Sequence, residues 1–466
     1  MTAIHRSPAY DVAVIGGGVV GCAVARRLTL DGARVVLLER APDILAGASK
    51  GNSAILHTGF DAPPDSLELA CMRQGYAEYL AIRERLNLPL LETGAAVVAW
   101  SGEEAETLDT IRAQAHANGV DDVRAIAPAE LSAREPELAR DAVAALLVPG
   151  EHVVDPWSAP LAYLAQAVAN GAAVRRGCGV EGGRFDGARW QLETTAGAVE
   201  AGAVVNAAGL FGDHVETCLL GASDFAIRPR KGQFVVFDKA AARLLSTTIL
   251  PVPSARTKGV VLARTAFGNL LVGPTAEEQD DRERATVESD ALDALIRRAV
   301  RMLPALRAVP VTATYAGLRP ASEEKAYRLH FAPERRYLRL GGIRSTGLTA
   351  ALGLATHAAE RLGEIGVGGA PLADPLWPQV PNLAEHRPRA WQGPEGGDIV
   401  CHCELVTRGE IRRALEGPLA ARDLAGLKRR TRVMLGRCQG FYCSAAVAAL
   451  TADALDTPLA LDPVDG

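Results

Sequence analysis

The stretch "YDVAVIGGGVVGCAVARRLTLDGARVVLLER", residues 10–40, decides the fold of this chain. The apolar run at 11–15 predicts a buried strand, and the glycines after it predict a tight turn. Apolar residues at helical spacing predict a helix over 19–30, and a second apolar run predicts a strand over 34–38. Together these segments predict one βαβ unit with two parallel strands.

The glycines of this turn are spaced as Gly16-x-Gly18-x-x-Gly21. Glycines at these positions let the backbone approach a pyrophosphate, which then lies on the helix N-terminus. Glu39 ends the second strand, where a carboxylate can accept hydrogen bonds from a ribose diol. Strand, turn, helix and acid together predict a bound dinucleotide, and the glycine motif alone leaves NAD and FAD both open.

The composition is that of an ordinary globular protein, with 466 residues, 48% hydrophobic residues and a formal net charge of -5. This length suits two or three domains, and the charge gives no reason to expect nucleic-acid binding. The first ten residues lack a charged-then-apolar leader, and no apolar run is long enough to span a membrane. Four cysteines, Cys22, Cys71, Cys178 and Cys218, stand in apolar segments and are predicted to be buried free thiols, which suits the cytoplasm.

The chain returns to the pattern of its first forty residues after two long interruptions. Helices are predicted over 66–86, 103–118 and 160–170, followed by strands at 173–176 and at the segment "AVVNAAG". Residues 227–315 are strand-rich around one helix at 290–302, and "RYLRLGGIRSTGLTAALGLA" resumes the strand, glycine turn and helix. We therefore predict an α/β protein whose Rossmann-like nucleotide domain is assembled from separated segments, with an inserted strand-rich substrate domain. The nucleotide domain, the first domain, is predicted to comprise residues 10–90, 150–225 and 315–362. The substrate domain, the second, is predicted to comprise residues 91–149 and 226–314.

The C-terminal part contains a linker and a small cysteine module. Residues 363–398 hold six prolines and seven glycines, which predicts a linker or an irregular wrap over the surface. Residues 399–455 contain Cys401-x-Cys403 and Cys438-x4-Cys443, with 34 residues between the pairs. Two thiolate pairs suit zinc or an iron–sulfur cluster, and unligated cysteines remain an alternative. Between Cys401 and Cys443 nine Lys/Arg face four Asp/Glu, which predicts either a solvated basic face or a patch for an acidic redox partner.

Several segments carry a resemblance to a known family: "NSAILHTGFDAPPDSLELACMRQG", "NAAGLFGDHV", "IRPRKGQFVVFDK", "GNLLVGPTAEE", "AGLRPASEEKAY" and "GIRSTGLTAALGLA". They resemble the FAD-dependent D-amino-acid-oxidase superfamily. Within it they are similar to the large (A) subunits of anaerobic glycerol-3-phosphate dehydrogenases and to L-2-hydroxyglutarate dehydrogenases. The resemblance covers residues 10–362 and continues into the cysteine module, which resembles the bacterioferritin-associated ferredoxin type of [2Fe-2S] domain. The second pair of that ferredoxin type is often C-x2-C, so the longer spacing here departs from it.

The resemblance implies two cofactors, FAD and one [2Fe-2S] cluster. It assigns FAD contacts to Gly16, Gly18, Gly21, Glu39, Arg40, Ser49, Asn52, Ser53, Val180, Ala208, Gly209, Gly342, Gly347, Leu348 and Thr349. It assigns the cluster to Cys401, Cys403, Cys438 and Cys443, and leaves His402 facing solvent.

The resemblance also implies a substrate site. Arg319 would grip a phosphate or carboxylate, since a guanidinium binds such anions through two parallel hydrogen bonds. Arg344 is a second anion-binding candidate, at a position where relatives carry an acidic or apolar residue. His57 would take a hydroxyl proton as hydride leaves for the flavin, or would instead serve as a structural ligand of flavin or backbone. Lys231 either enters the pocket or is solvated.

The predicted function is an FAD-dependent dehydrogenase of a small anionic hydroxy compound, either sn-glycerol 3-phosphate or a 2-hydroxy acid. Electrons would pass from flavin through the cluster to partner subunits or a quinone pathway. Two alternatives stay open: a dehydrogenase of amines or imino acids, such as opines or proline, and a non-catalytic electron-transfer subunit. The expected location is the cytoplasm, or the inner face of the membrane through a complex.

Overall fold

The computed structural model describes residues 10–253, 259–394 and 396–459. Residues 1–9, for which the sequence predicts no leader, lie outside the described residues. The helices are α1 (Val19–Leu30), α2 (Leu67–Leu86), α3 (Gly102–Ala117), α4 (Pro128–Arg134), α5 (Ser158–Ala169), α6 (Gly212–Leu220), α7 (Ser289–Met302), α8 (Gly347–Gly363), α9 (Arg408–Ala414), α10 (Leu424–Thr431) and α11 (Ser444–Thr451).

The strands belong to two large sheets and two small ones. The earlier strands are β1 (Tyr10–Ile15), β2 (Val35–Glu39), β3 (Ile55–Leu56), β4 (Leu90–Leu91), β5 (Ala95–Ala99), β6 (Arg124–Ile126), β7 (Ala144–Val148), β8 (His152–Val154), β9 (Ala173–Arg176), β10 (Val180–Phe185) and β11 (Trp190–Thr194). The later strands are β12 (Val199–Asn206), β13 (Arg230–Phe237), β14 (Thr248–Pro251), β15 (Val261–Arg264), β16 (Leu270–Gly273), β17 (Glu277–Glu278), β18 (Val311–Arg319), β19 (Arg328–Ala332), β20 (Tyr337–Gly341), β21 (Ile399–Cys401) and β22 (Val406–Thr407).

The first large sheet contains the predicted βαβ unit. Its eight strands include the parallel row β20, β12, β1, β2 and β9. At the margins β11 and β19 pair antiparallel with β12 and β20, and β10 pairs antiparallel with β11. Helices α1, α5 and α8 pack together beside this sheet, and α2 packs along α8. A buried apolar cluster joins β1, β2 and these helices, because both faces of central parallel strands must be covered. The α/β fold class is confirmed.

The second large sheet draws its nine strands from two distant parts of the chain. Strands β5, β6 and β7 precede residue 149, and β13 to β18 follow residue 226. The two groups join where β14 pairs in parallel with β5. Strand β18 pairs with β13 along its whole length, up to Arg230 opposite Arg319. The predicted boundary at residue 314 is therefore too early, because this sheet continues to Arg319.

The C-terminal module is a two-stranded sheet, β21 and β22, surrounded by α9, α10 and α11. The segment before it has almost no regular structure and follows the surface of the first domain. Backbone amides of Leu372 and Val380 donate to the carbonyl oxygens of Leu30 and Leu86, at 2.9 and 3.2 Å. Among the described residues, no helix combines the length and apolar character needed to cross a membrane.

Candidate functional site: a cavity between two sheets and a docked cysteine module

A cavity of about 810 Å³ lies between the two large sheets. On one side its wall contains the carboxyl ends of the parallel strands β1, β2, β12 and β20, which meet at one edge of the first sheet. On the other side it contains residues of β13 and β18 from the second sheet. Ligands bind at such strand ends in open α/β sheets, so the topology marks this cavity as the site.

The glycine turn closes one end of the cavity. Gly16 has a φ of +110°, and a Cβ there would lie 2.5 Å from the carbonyl oxygen of Ala207. Gly18 is part of the cavity wall, and a Cβ there would lie 3.2 Å from Ser49 Oγ. A Cβ at Gly21 would lie 1.9 Å from the Gly16 carbonyl oxygen, so Gly21 lets α1 pack on the turn. Gly21 lies behind the wall rather than in it.

Glu39 lies at the end of β2, where the sequence predicts a carboxylate that binds the ribose of the dinucleotide. Its carboxylate accepts hydrogen bonds from the backbone amides of Gly17 at 2.6 Å and Ala41 at 2.8 Å. Burial raises the pKa of this carboxyl. An ionised carboxylate has about four acceptor sites, so capacity for a diol remains. Beside it, the Arg40 guanidinium lies 3.7 Å from the centre of the Phe211 ring.

Residues 49–53 connect the glycine turn to the second sheet. Ser49 Oγ accepts from the amide of Val19 at 3.0 Å, at the first turn of α1. The hydroxyl of Tyr315 donates to the Asn52 carbonyl oxygen at 2.7 Å. This segment therefore forms a shared wall between the two domains.

Most residues that the resemblance assigns to FAD lie in this wall. The wall contains Gly16, Gly18, Glu39, Arg40, Ser49, Asn52, Ser53, Val180, Ala208, Gly209, Gly342, Gly347 and Leu348. The two outside it are Gly21 and Thr349, and the Thr349 hydroxyl instead accepts from the His57 amide at 3.0 Å. The residues present fit a dinucleotide, because thirteen positions from six separate segments meet at one set of strand ends.

His57 lies in the cavity wall and is held by a buried acid. Its Nδ1 lies 2.7 Å from Oε2 of Glu151, whose side chain is fully buried. The other oxygen of Glu151 accepts from the amide and the hydroxyl of Thr58, at 2.6 and 2.9 Å. The imidazole is therefore oriented by a carboxylate that is itself fixed.

Five arginines line the same cavity, and three of them, Arg230, Arg319 and Arg344, lie near enough to repel one another. Burial, together with the charges of Arg230 and Arg344, lowers the pKa of Arg319 to about 10. Its Nη2 donates to the Thr275 carbonyl oxygen over a long 3.4 Å, and Nη1 is buried with no hydrogen-bond partner among the described residues. In the part of the chain that the structure describes, five other arginines have a buried nitrogen without an acceptor, but among these six only Arg319 lines the cavity, where an anion would supply an acceptor.

Lys231 does not reach the cavity, so its predicted entry into the pocket is wrong. Its ammonium pairs with Glu288 and, at 3.0 Å, with Glu277. Successive residues of a strand face opposite sides of a sheet. Arg230, Gly232 and Phe234 of β13 line the cavity, so Lys231 must face away.

The four cysteines of the C-terminal module form two thiol pairs. Cys403 lies within hydrogen-bond distance of Cys438, and Cys401 lies within hydrogen-bond distance of Cys443. Hydrogen bonds from the backbone amides of Tyr442, Gly440 and Phe441 lower the pKa of Cys438. Within the described ranges, no three or more His, Cys, Asp or Glu side chains are arranged to hold a single metal ion. A two-iron cluster takes two thiolates on each iron, so two thiol pairs fit such a cluster.

The module is docked on the first domain through a buried ion pair. Asp43, fully buried, accepts from both terminal nitrogens of Arg430 at 2.7 Å. Arg429 donates to the Ile44 carbonyl oxygen at 2.9 Å, and Arg432 pairs with Glu404 at 2.9 Å. These three arginines are buried. The prediction of a solvated face or a partner patch is therefore wrong for the central part of the basic stretch, which is a docking element.

Fold and sites together define a flavin-dependent oxidoreductase with an appended iron–sulfur module. The chain belongs to the family of FAD dependent oxidoreductases, which it matches over residues 11–361. Residues 399–453 match the BFD-like [2Fe-2S] binding domain. The chain is therefore an FAD-dependent enzyme whose second cofactor is a [2Fe-2S] cluster.

Similar proteins act on glycerol phosphate. The chain is 29% identical over 454 residues to a glycerol 3-phosphate dehydrogenase of Caloramator mitchellensis, covering 95% of this chain and 94% of that protein. It is 27% identical over 498 residues to the A subunit of the anaerobic glycerol-3-phosphate dehydrogenase of Escherichia coli strain K12, covering 95% and 88%. An FAD-bound L-alpha-glycerophosphate oxidase structure from Mycoplasma pneumoniae superposes with a TM-score of 0.75 at 25% identity, over 81% of this chain and all of that one.

Sequence reasoning missed three features of the sites. Glu151 gives no local signal, since His57 is 94 residues away. Arg230 was not predicted as a site residue, because the adjacent Lys231 was chosen instead. The alternation of the strand puts Arg230 on the same face as the apolar Phe234, and this signal could have identified it. Cys218 was expected to be buried but is exposed, and it forms part of the cavity wall.

Proposed function

We propose that this chain is a dehydrogenase of sn-glycerol 3-phosphate. The observation that carries the proposal is Arg319, which lines the cavity and whose buried Nη1 lacks an acceptor among the described residues. The activities for which the relatives are named, glycerol 3-phosphate dehydrogenase and oxidase, support it.

The charge of this end of the cavity favours a phosphate over a carboxylate. Burial lowers the pKa of Arg319 most, and repulsion from Arg344 and from Arg230, which also pairs with Glu278, lowers it further. A dianionic phosphate relieves that repulsion more than a singly charged carboxylate does, because the interaction grows with the ligand's charge. Arg344 departs from the family pattern but adds to this positive charge, so it strengthens the case for a phosphate.

The reaction would remove a proton and a hydride from the secondary alcohol. His57 lies in the cavity wall and would take the hydroxyl proton on Nε2, while Arg319 holds the phosphate. When bound, FAD supplies the acceptor for the hydride that leaves the same carbon. The alcohol thereby becomes a ketone, and two electrons and two protons are accounted for.

The electrons would leave through the cysteine module. The cluster carries one electron at a time, which suits a wire between a flavin and a distant acceptor. Cys401, Cys403, Cys438 and Cys443 would hold it, in a module of residues 399–455 behind the linker 363–398. The Escherichia coli relative is by name one subunit of its dehydrogenase, which suggests that redox partner subunits accept the electrons. We place the chain in the cytoplasm, at the membrane's inner face if such partners bind it, since none of the eight cysteines, all of which lie within the described ranges, forms a disulfide.

Mixing the purified, oxidised protein anaerobically with candidate substrates tests the proposal. We expect sn-glycerol 3-phosphate to bleach the flavin faster than L-2-hydroxyglutarate, L-lactate, glycine or L-proline at equal concentration. Faster bleaching by glycine or proline would replace the proposal with C–N oxidation. Faster bleaching by a 2-hydroxy acid would support oxidation of an alcohol but would contradict the proposal that the substrate carries a phosphate.

A further inference from the structure

Glu151 is a buried acid brought to the cavity by strand pairing. Strand β3 pairs antiparallel with β8, with Ile55 opposite Val153 and Leu56 opposite His152. The next pair in this register is His57 and Glu151, where β3 ends and β8 begins. The two side chains therefore meet because of the register and not through a flexible loop.

The hydrogen bonds of Glu151 determine which nitrogen of His57 carries a proton. An ionised carboxylate can only accept hydrogen bonds. Oε1 is occupied by the amide and hydroxyl of Thr58, and Oε2 faces His57 Nδ1 at 2.7 Å. The ring must therefore donate from Nδ1, which makes Nε2 the basic nitrogen of the neutral imidazole.

We propose that Glu151 is a positioning residue that fixes the Nδ1–H tautomer of His57 and balances the positive charge of the imidazolium. The inference rests on the proposed role of His57 as base. The substrate O–H bond breaks, its proton forms a bond to Nε2, and the hydride leaves for FAD. The negative charge of Glu151 is then next to the new positive charge, in a site where burial strengthens the attraction.

Replacing the acid by its isosteric amide tests this role. Glu151→Gln removes the charge and lets the side chain offer an N–H as well as a carbonyl oxygen to Nδ1. We expect the rate of flavin bleaching at saturating substrate to fall about 100-fold, with the substrate concentration for half-maximal rate changed less than threefold. In FAD-loaded protein labelled with ¹⁵N-histidine, the His57 signals, identified by their loss in His57→Ala, should change from Nδ1–H to a mixture of tautomers.

Glu135→Gln is the matched control, because Glu135 is a buried acid that accepts from the Ser246 hydroxyl and from the amides of Ser246 and Thr247, and none of these residues lines the cavity. It should leave bleaching unchanged. Thr58→Val removes one hydrogen bond to Glu151 and should slow bleaching less than Glu151→Gln does. It replaces Glu151→Gln as the test variant if that protein does not fold.

Adding Glu151→Gln to His57→Ala should slow bleaching no further, because Glu151 acts through the ring. If His57→Ala is slow while Glu151→Gln keeps both the rate and the Nδ1–H signal, this inference is wrong and the proposed function stands. If His57→Ala bleaches at the normal rate, the base assignment itself fails, and the inference fails with it.

Discussion

At the scale of single residues, the proposed recognition of the substrate depends on Arg319. A guanidinium can bind an anion through two parallel donors, and the pKa of Arg319, about 10, keeps it charged near neutral pH. Arg319→Lys keeps the charge and loses the fork. We expect kcat/KM for sn-glycerol 3-phosphate to fall more than tenfold, or at least about 1.4 kcal/mol, in steady-state kinetics.

Lys231→Met is the control for this change, since Lys231 lies one strand position from Arg230 but pairs with Glu277 and Glu288 on the opposite face. It should leave kcat/KM within about twofold. An unchanged kcat/KM in Arg319→Lys would remove Arg319 from the site.

The sequence predicts single residues well where a backbone pattern places them. His57, Arg319 and Arg344 follow strand or glycine-turn signals, and all three line the cavity. The prediction that Lys231 enters the pocket was wrong, because two adjacent basic residues do not indicate which face of β13 lines the cavity. Glu151 could not be predicted, since its contact with His57 depends on the register of strands about a hundred residues apart.

At the scale of elements, local periodicity predicts what forms but not what it contacts. The helices expected at 19–30, 66–86, 103–118, 160–170 and 290–302 are all present, because their apolar spacing decides them. The pairing of β14 with β5 joins segments about 150 residues apart and leaves no local pattern. The environment of the arginines in and after α10 could not be predicted for the same reason. Whether each arginine is solvated or paired depends on contacts with distant segments.

The docking of α10 gives a prediction at this scale. Asp43→Asn leaves Arg430 buried beside a neutral side chain, and breaking a buried pair costs about 3–5 kcal/mol. The module should therefore detach more often. We expect substrate to bleach the flavin at the normal rate, while electron transfer from flavin to cluster slows at least about tenfold in rapid-freeze spin resonance.

Asp11→Asn is the control, because Asp11 forms an exposed pair with Arg34 on the first domain. It should change neither rate. Flavin-to-cluster transfer at the normal rate in Asp43→Asn would show that this ion pair does not hold the module in place.

At the scale of the whole molecule, the chain joins two electron carriers of different capacity. In the proposed function the first domain accepts two electrons from one substrate, and the module passes them on singly. The irregular segment 363–398 returns along α1 and α2 and brings the module against the loop that also lines the cavity. We therefore propose that substrate chemistry and electron exit are separate tasks of these two parts.

Removing the cluster without removing the flavin tests this separation most directly. The Cys438→Ser protein is mixed anaerobically with sn-glycerol 3-phosphate, and flavin absorbance, iron content and reduction of an added acceptor are measured. Cys71→Ala, which changes a buried thiol of α2, is the control. We predict that Cys438→Ser loses the [2Fe-2S] spin signal, keeps FAD, bleaches normally and reduces the acceptor far more slowly than the control. Stoichiometric zinc without iron in the unmutated protein, or unchanged acceptor reduction in Cys438→Ser, would contradict it.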